Sequence, residues 1–222
     1  MPKETVVLLH GLGRSPLAMA GLHWYLHKQG YRVVNQGYAS RRHPIPELCR
    51  QLFHDLIPHL AGGEGSIHFV THSLGGILLR YGLQHWQAPI HRLGRAVMLA
   101  PPSQGSELVD QLRRWPLLPR VLGPAFLQLG TDPASIPQQL LLSETEPFPL
   151  EVGIIAGRRS IDPLLSRWLE GEHDGKVTVA RSRLPGMADF RVMDANHTFI
   201  MNDRAVRAQV VHFLRHGRFQ EI

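Results

Sequence analysis

Apolar residues along this 222-residue chain fall into two alternating kinds of run. Short strand-like runs, most of them continuously apolar, occupy residues 5–10, 31–36, 67–71, 96–100, 152–156 and 190–193. Continuous apolarity over so few residues suits parallel strands covered on both faces. Between them apolar residues recur at helical spacing. Residues 16–29 carry Leu17, Leu22, Tyr25 and Leu26, and residues 46–57 carry Leu48, Leu52, Phe53 and Leu56, with Pro46 suited to a first turn. A third helical run covers 74–86. A fourth, over 203–216, carries Val206, Val210, Phe213 and Leu214 and stops at Gly217. Strand–helix alternation of this kind predicts an α/β protein built on a doubly wound sheet. It should have about six mostly parallel strands and helices on both faces.

One stretch breaks the rhythm. Residues 103–150 carry Pro116, Pro119, Pro124, Pro133, Pro137, Pro147 and Pro149, and their apolar residues, among them Trp115, Leu118, Leu122 and Phe126, are not strand-like. The expectation is a small cap-like insertion of short helices within a single domain spanning 1–222. It should lie over the C-terminal edge of the sheet, where functional loops gather in open α/β folds. A second interruption covers 158–176.

The chemistry concentrates at Thr71-His72-Ser73-Leu74-Gly75-Gly76, which follows the third strand and opens the next helix. A serine at the apex of a strand–turn–helix is pushed out above the sheet, where a histidine can take its proton. The turn is tight enough to need small residues two before and two after the serine. Gly75 meets that need, and Thr71 meets it in part. His10-Gly11-Leu12-Gly13 ends the first strand, and its glycines let backbone N–H groups turn toward a developing oxyanion. The N–H groups of Leu12 and Leu74 are the candidate donors. Asp174, on a loop beyond the fifth strand, is the favoured acid to orient an imidazole. Asp162 is its rival, although Asp162-Pro163 also reads as a helix cap followed by proline at the first helical position. His197 follows the last strand and is free to reach back over Ser73. Asp194 is close to it in sequence but belongs to the wrong loop. The order Ser73, Asp174, His197, each on a loop after a strand, carries more weight than any one of them.

Composition narrows the classes. The charged fraction of 19% and hydrophobic fraction of 43% are those of an ordinary globular chain. A net charge of +6 comes from scattered arginines, with no basic run interleaved with aromatics and no nucleic-acid motif. A solvated basic surface is expected, with weak contact to an anionic membrane as the minor alternative. The histidines show no zinc-ligand spacing, so no metal is expected. Cys49 reads as a buried inert thiol, and a reducing cytoplasm is expected. No signal-peptide pattern opens the chain and no apolar run spans a bilayer. A monomer is the default expectation.

From residue 5 to about 217 the chain resembles the α/β-hydrolase superfamily, and within it the compact bacterial lipases and esterases. His10-Gly11-Leu12-Gly13 looks like the lipase oxyanion turn. Thr71-His72-Ser73-Leu74-Gly75-Gly76 resembles the G-H-S-[LM]-G-G elbow, with Thr71 in place of the first glycine. Pro101-Pro102-Ser103-Gln104-Gly105-Ser106 is similar to a P-x-x-G-S segment of many lipases, and Asp174-Gly175-Lys176-Val177 resembles their D-G-x-V acid loop. The resemblance implies a minimal fold lacking the first strands of larger members, with Ser73 as nucleophile, His197 as base, Asp174 as acid and no cofactor. It implies a serine hydrolase acting on a small-molecule or lipid acyl ester. The alternatives are an acyltransferase or thioesterase on the same residues, or an idle hydrolase fold used for binding or at a membrane surface. The lipase-like deacylases of lipid anchors share the elbow.

Overall fold

The computed structural model describes residues 3–60, 64–85, 92–143 and 148–221. Met1-Pro2, Trp86 at the end of the predicted helix over 74–86, and Pro147 lie outside the described residues. Six strands, β1 (Thr5–Leu9), β2 (Arg32–Gln36), β3 (Ile67–His72), β4 (Leu93–Leu99), β5 (Glu151–Gly157) and β6 (Asp189–Met193), form one sheet in the order β2-β1-β3-β4-β5-β6. Every neighbouring pair is parallel.

Helices α1 (Ala20–Lys28), α2 (Ile45–Leu60) and α3 (Leu74–His85) follow the first three strands. Four short helices, α4 (Glu107–Leu112), α5 (Leu118–Leu122), α6 (Pro124–Leu127) and α7 (Ile136–Ser143), fill the proline-rich stretch between β4 and β5. Two more, α8 (Pro163–Ser166) and α9 (Val179–Ser182), lie between β5 and β6, and α10 (Arg204–His216) closes the fold.

The inner strands β1, β3 and β5 are almost wholly buried because both faces of the sheet are covered there, whereas the edge strands β2 and β6 carry polar residues and are only partly buried. In β1, Val6 and Leu8 pack with Leu22 and Leu26 of α1 and with Val206, Val210 and Phe213 of α10. Val7 and Leu9 face the other way, toward Leu52 and Phe53 of α2 and Leu78 of α3. Successive strand side chains point to opposite faces, so each apolar run feeds two cores at once. The helices approach closely where glycine allows it. A Cβ on Gly82 of α3 would stand 2.0 Å from the Phe53 ring of α2. Helix α10 has defined ends: Asp203 Oδ1 accepts the Val206 N–H at its start, and Gly217, at φ 71°, donates its N–H to the Phe213 carbonyl at its end.

Several boundaries differ from the sequence expectation, two of them by three residues. Strand β4 begins at Leu93 rather than at residue 96. Gly94 hid this start, and tertiary contact explains it. A Cβ there would lie 2.6 Å from the His68 imidazole, whose Nδ1 accepts the Arg95 N–H at 2.9 Å beside a register shift in β3. Helix α2 runs on to Leu60, past the expected end at 57. The apolar residues of 103–150 also divide. Phe126, Leu129 and Leu140 are buried in the core, whereas Trp115, Leu117 and Val121 stay exposed. Among the described residues no helix is long and apolar enough to cross a membrane.

Candidate active site

Ser73 sits in the turn from β3 to α3 with φ 52°, a left-handed conformation rare for a residue with a side chain. Its N–H donates to the Leu99 carbonyl and its own carbonyl accepts the Gly76 N–H, both at 2.9 Å. The turn is pressed against the end of β1. A Cβ on Gly75 would lie 2.6 Å from the Leu9 carbonyl oxygen, so only glycine fits there without displacement. Thr71, buried two residues before the serine, is accommodated because Gly76 leaves it room: a Cβ on Gly76 would stand 3.3 Å from Thr71 Oγ1.

His197, between β6 and α10, places Nε2 3.0 Å from Ser73 Oγ and Nδ1 2.7 Å from Asp174 Oδ2. With Nδ1–H donated to the carboxylate, Nε2 is left to accept the serine hydroxyl proton. Asp174 is buried, and its second oxygen, Oδ1, accepts the N–H groups of Lys176 and Val177, each at 2.9 Å. The backbone repeats the link, because the His197 N–H donates to the Asp174 carbonyl at 3.0 Å. The rival acids are engaged elsewhere. Asp162 Oδ1 caps α8 by accepting from Leu164 and Leu165 at 3.1 Å, and exposed Asp194 pairs with Arg158 at 2.5 Å.

The turn after β1 is tied down by His10 and its neighbours. His10 Nδ1–H donates to the Gly11 carbonyl at 2.9 Å, its ring stacks on Tyr38, and the Tyr38 hydroxyl donates to the His10 carbonyl. Gly13 donates its N–H to Ser40 Oγ at 2.9 Å. Gly11 passes so near the elbow that a Cβ there would lie 2.7 Å from His72 Nδ1 and 3.3 Å from Ser73 Cβ. The Leu12 and Leu74 N–H groups donate to no protein acceptor among the described residues. Leu74 is also the first residue of α3, where helical N–H groups lack partners.

Before these groups opens a cavity of about 560 Å³ lined by Ser73, His72, His197, Leu12 and Gly13 together with residues of α4, α5 and α6. Arg14, which is half-buried, and the exposed Arg41 and Lys176 also line it. Among the described residues, no group of three or more His, Cys, Asp or Glu side chains is arranged to hold a metal ion.

Sequence reasoning passed over four residues around this site. His72 is buried beside Ser73, and burial, then the neighbouring His197, pushes its pKa well below the ordinary histidine value of 6.5. Arg80 of α3 is buried, and its guanidinium donates to the Ser103 carbonyl at 2.7 Å, holding the segment that follows β4. Arg14 and Lys176 stand next to recognised motifs. Adjacency was the available signal for His72, Arg14 and Lys176, and a charge within an apolar helical run was the signal for Arg80.

Among solved structures, the mature lipase BlEst2 of Bacillus licheniformis superposes with a TM-score of 0.76 at 21% identity, covering 96% of this chain and 92% of that one. The Pyrococcus furiosus esterase PF2001 gives 0.59 at 19% identity, over 96% and 81%. Phospholipase PlaB of Legionella pneumophila gives 0.63 at 18% identity, over 82% and 46%. At these identities the likeness is one of fold. Comparison with curated protein sequences gives no match. The sequence profile described as the alpha/beta hydrolase family matches residues 6–217, nearly the whole length. With that match, and with the parallel sheet and the serine turn between β3 and α3, the chain belongs to the alpha/beta hydrolase family.

Proposed function

We propose that this protein is a serine hydrolase that cleaves carboxylic esters through an acyl-Ser73 intermediate. The observation that carries the reading is the hydrogen-bonded series Ser73 Oγ, His197, Asp174, with contacts of 3.0 and 2.7 Å. Family membership and the fold shared with lipases and esterases are in keeping with it.

In this mechanism Ser73 Oγ attacks the acyl carbon while His197 Nε2 takes the hydroxyl proton. Asp174 keeps Nδ1 protonated and stabilises the imidazolium. Charge on the carbonyl oxygen is received by the N–H groups of Leu12 and Leu74, which have no protein acceptor among the described residues. The ester C–O bond breaks and the alcohol leaves with the proton held by His197. Water then attacks the acyl carbon, giving its proton to Nε2, and the acid departs as that proton returns to Ser73 Oγ. The cavity suits an apolar acyl group, since Leu108, Leu112, Leu118 and Phe126 line it. In this reading the chain acts as one domain, with residues 103–150 as a cap-like insertion that supplies the acyl site.

Intact-mass labelling with a fluorophosphonate, on wild type and Ser73→Ala, tests the proposal. A single adduct absent from the variant, followed by turnover of p-nitrophenyl esters, is expected. A folded wild type that takes no adduct would overturn it.

A further inference from the structure

The apolar lining of the cavity comes chiefly from the stretch between β4 and β5: Leu108, Val109, Leu112, Leu118, Leu122 and Phe126. Of the three cations that line it, Arg41 belongs to the segment after β2, and Arg14 and Lys176 are attached to the loops of His197 and Asp174. Arg14 Nη2 donates to the carbonyl of Thr198, next to His197, at 3.0 Å. Arg14 Nε is buried with no hydrogen-bond acceptor among the described residues. Lys176 is anchored by its N–H on Asp174 Oδ1, and it lines the cavity while remaining exposed to solvent. Among the described residues no Asp or Glu lines the cavity, and neither cation forms an ion pair.

The two cations feel each other. Burial chiefly lowers the pKa of Lys176, and Arg14 lowers it further, against the opposing pull of Asp174 and Asp162. Both cations also depress the His72 imidazole, after the larger effects of burial and of His197. Like charges lining one cavity, one of them with a buried, unused donor, are stabilised by an anion bound by both.

Direction follows from the proposed mechanism. His197 gives its proton to the departing alcohol, so the alcohol leaves on the His197 side, where Arg14 and Lys176 stand. The acyl chain then lies along the apolar wall. We propose that Arg14 and Lys176 form an anion subsite for the leaving group, and that the substrate is an acyl ester of a small phosphorylated alcohol. A phosphate matches the guanidinium fork and offers enough charge for both cations. This inference rests on the ester-hydrolase reading of Ser73 given above. The released products are a carboxylic acid and the phosphorylated alcohol.

The test compares octanoyl glycerol 3-phosphate with octanoyl glycerol, both kept monomeric in solution. Wild type should favour the phosphorylated ester in kcat/KM by about tenfold or more, the scale of a hydrogen bond to a charged group. Lys176→Glu should pull that ratio to one or below, and Lys176→Arg should keep it. A ratio cancels any general loss of activity, because both esters use the same serine. Rising salt should lower the rate on the phosphorylated ester alone. Equal rates on the two esters, or a ratio unmoved by Lys176→Glu, would overturn the subsite. So would a preference seen only on vesicles of palmitoyl glycerol phosphate, which would place the cations at a membrane surface instead. Turnover of neither ester with a fluorophosphonate adduct still formed also rejects the proposed substrate. Turnover of neither ester with no adduct rejects the hydrolase reading itself.

Discussion

His72 donates its Nε2–H to the backbone carbonyl of His197, 2.9 Å away. The residue before Ser73 therefore holds the loop that presents the histidine to Ser73. Asp174 holds the same loop from the other side, through the His197 N–H. Relative placement of Ser73 and His197 thus depends on a buried imidazole that touches neither the hydroxyl nor the carboxylate in this arrangement.

Replacing that imidazole should loosen the loop. In His72→Ala the His197 carbonyl loses a buried donor, costing about 1–3 kcal/mol of stability. The rate of serine acylation by a fluorophosphonate should fall by about tenfold or more, because small misplacements of a base are costly. His72→Gln keeps an N–H donor of similar reach and should recover part of the rate. Equal labelling rates for Ala, Gln and wild type would mean that the contact positions nothing.

The backbone at Ser73 is held at φ 52°. Glycine adopts that region freely, and residues with a Cβ are disfavoured there by about 1–2 kcal/mol. Ser73→Gly should therefore be more stable than Ser73→Ala by about 1 kcal/mol, or roughly 2–4 °C in Tm for a chain of this size. Both variants should lack the fluorophosphonate adduct. Thermal unfolding of the two side by side decides it, and a more stable Ala variant would contradict the strained turn.

Three aspartates near the site should behave differently. Asp174→Asn should lower kcat by about 10⁴-fold, by imposing the wrong tautomer on His197 while keeping the size of the side chain. Asp162→Ala removes the cap of α8 and should cost about 1 kcal/mol of stability with little change in kcat. Asp194→Ala breaks an exposed pair with Arg158 and should change neither by much. Full activity in Asp174→Asn with loss in Asp162→Ala would transfer the acid role to Asp162.

Burial lowers the pKa values of His10, His68 and His72 below 6.5 in the folded chain. Below that pH the unfolded chain takes up protons at these positions that the folded chain refuses. Stability present above pH 6.5 is then lost as pH falls, by up to about 1.4 kcal/mol per pH unit for each histidine. The urea midpoint should drop between pH 7.5 and 5.5, before most carboxylates titrate. His72→Gln should show a shallower drop. A midpoint constant over that range would place these histidines in water.

Much of this molecule is legible in the one-dimensional pattern. The short apolar runs and helical spacings specify six strands and their main helices, because period and burial are local consequences of which faces need covering. Gly217 marks the end of α10 and Asp162 the start of α8, since caps act within one turn of helix. The order of Ser73, Asp174 and His197 along the chain is also sequence information. Their meeting is not. Ser73 and His197 are 124 positions apart, and only the parallel arrangement of β3, β5 and β6 brings their loops to one edge at 3.0 Å. Sequence order already favoured Asp174 over Asp162 and Asp194, and the tertiary structure adds the partners that each carboxylate meets. Tertiary structure alone brought Arg14 and Lys176 to the cavity and buried Arg80 under the segment after β4. Hydrophobic periodicity reports the faces that must be buried. The partners of a charge are fixed only once distant segments share a space.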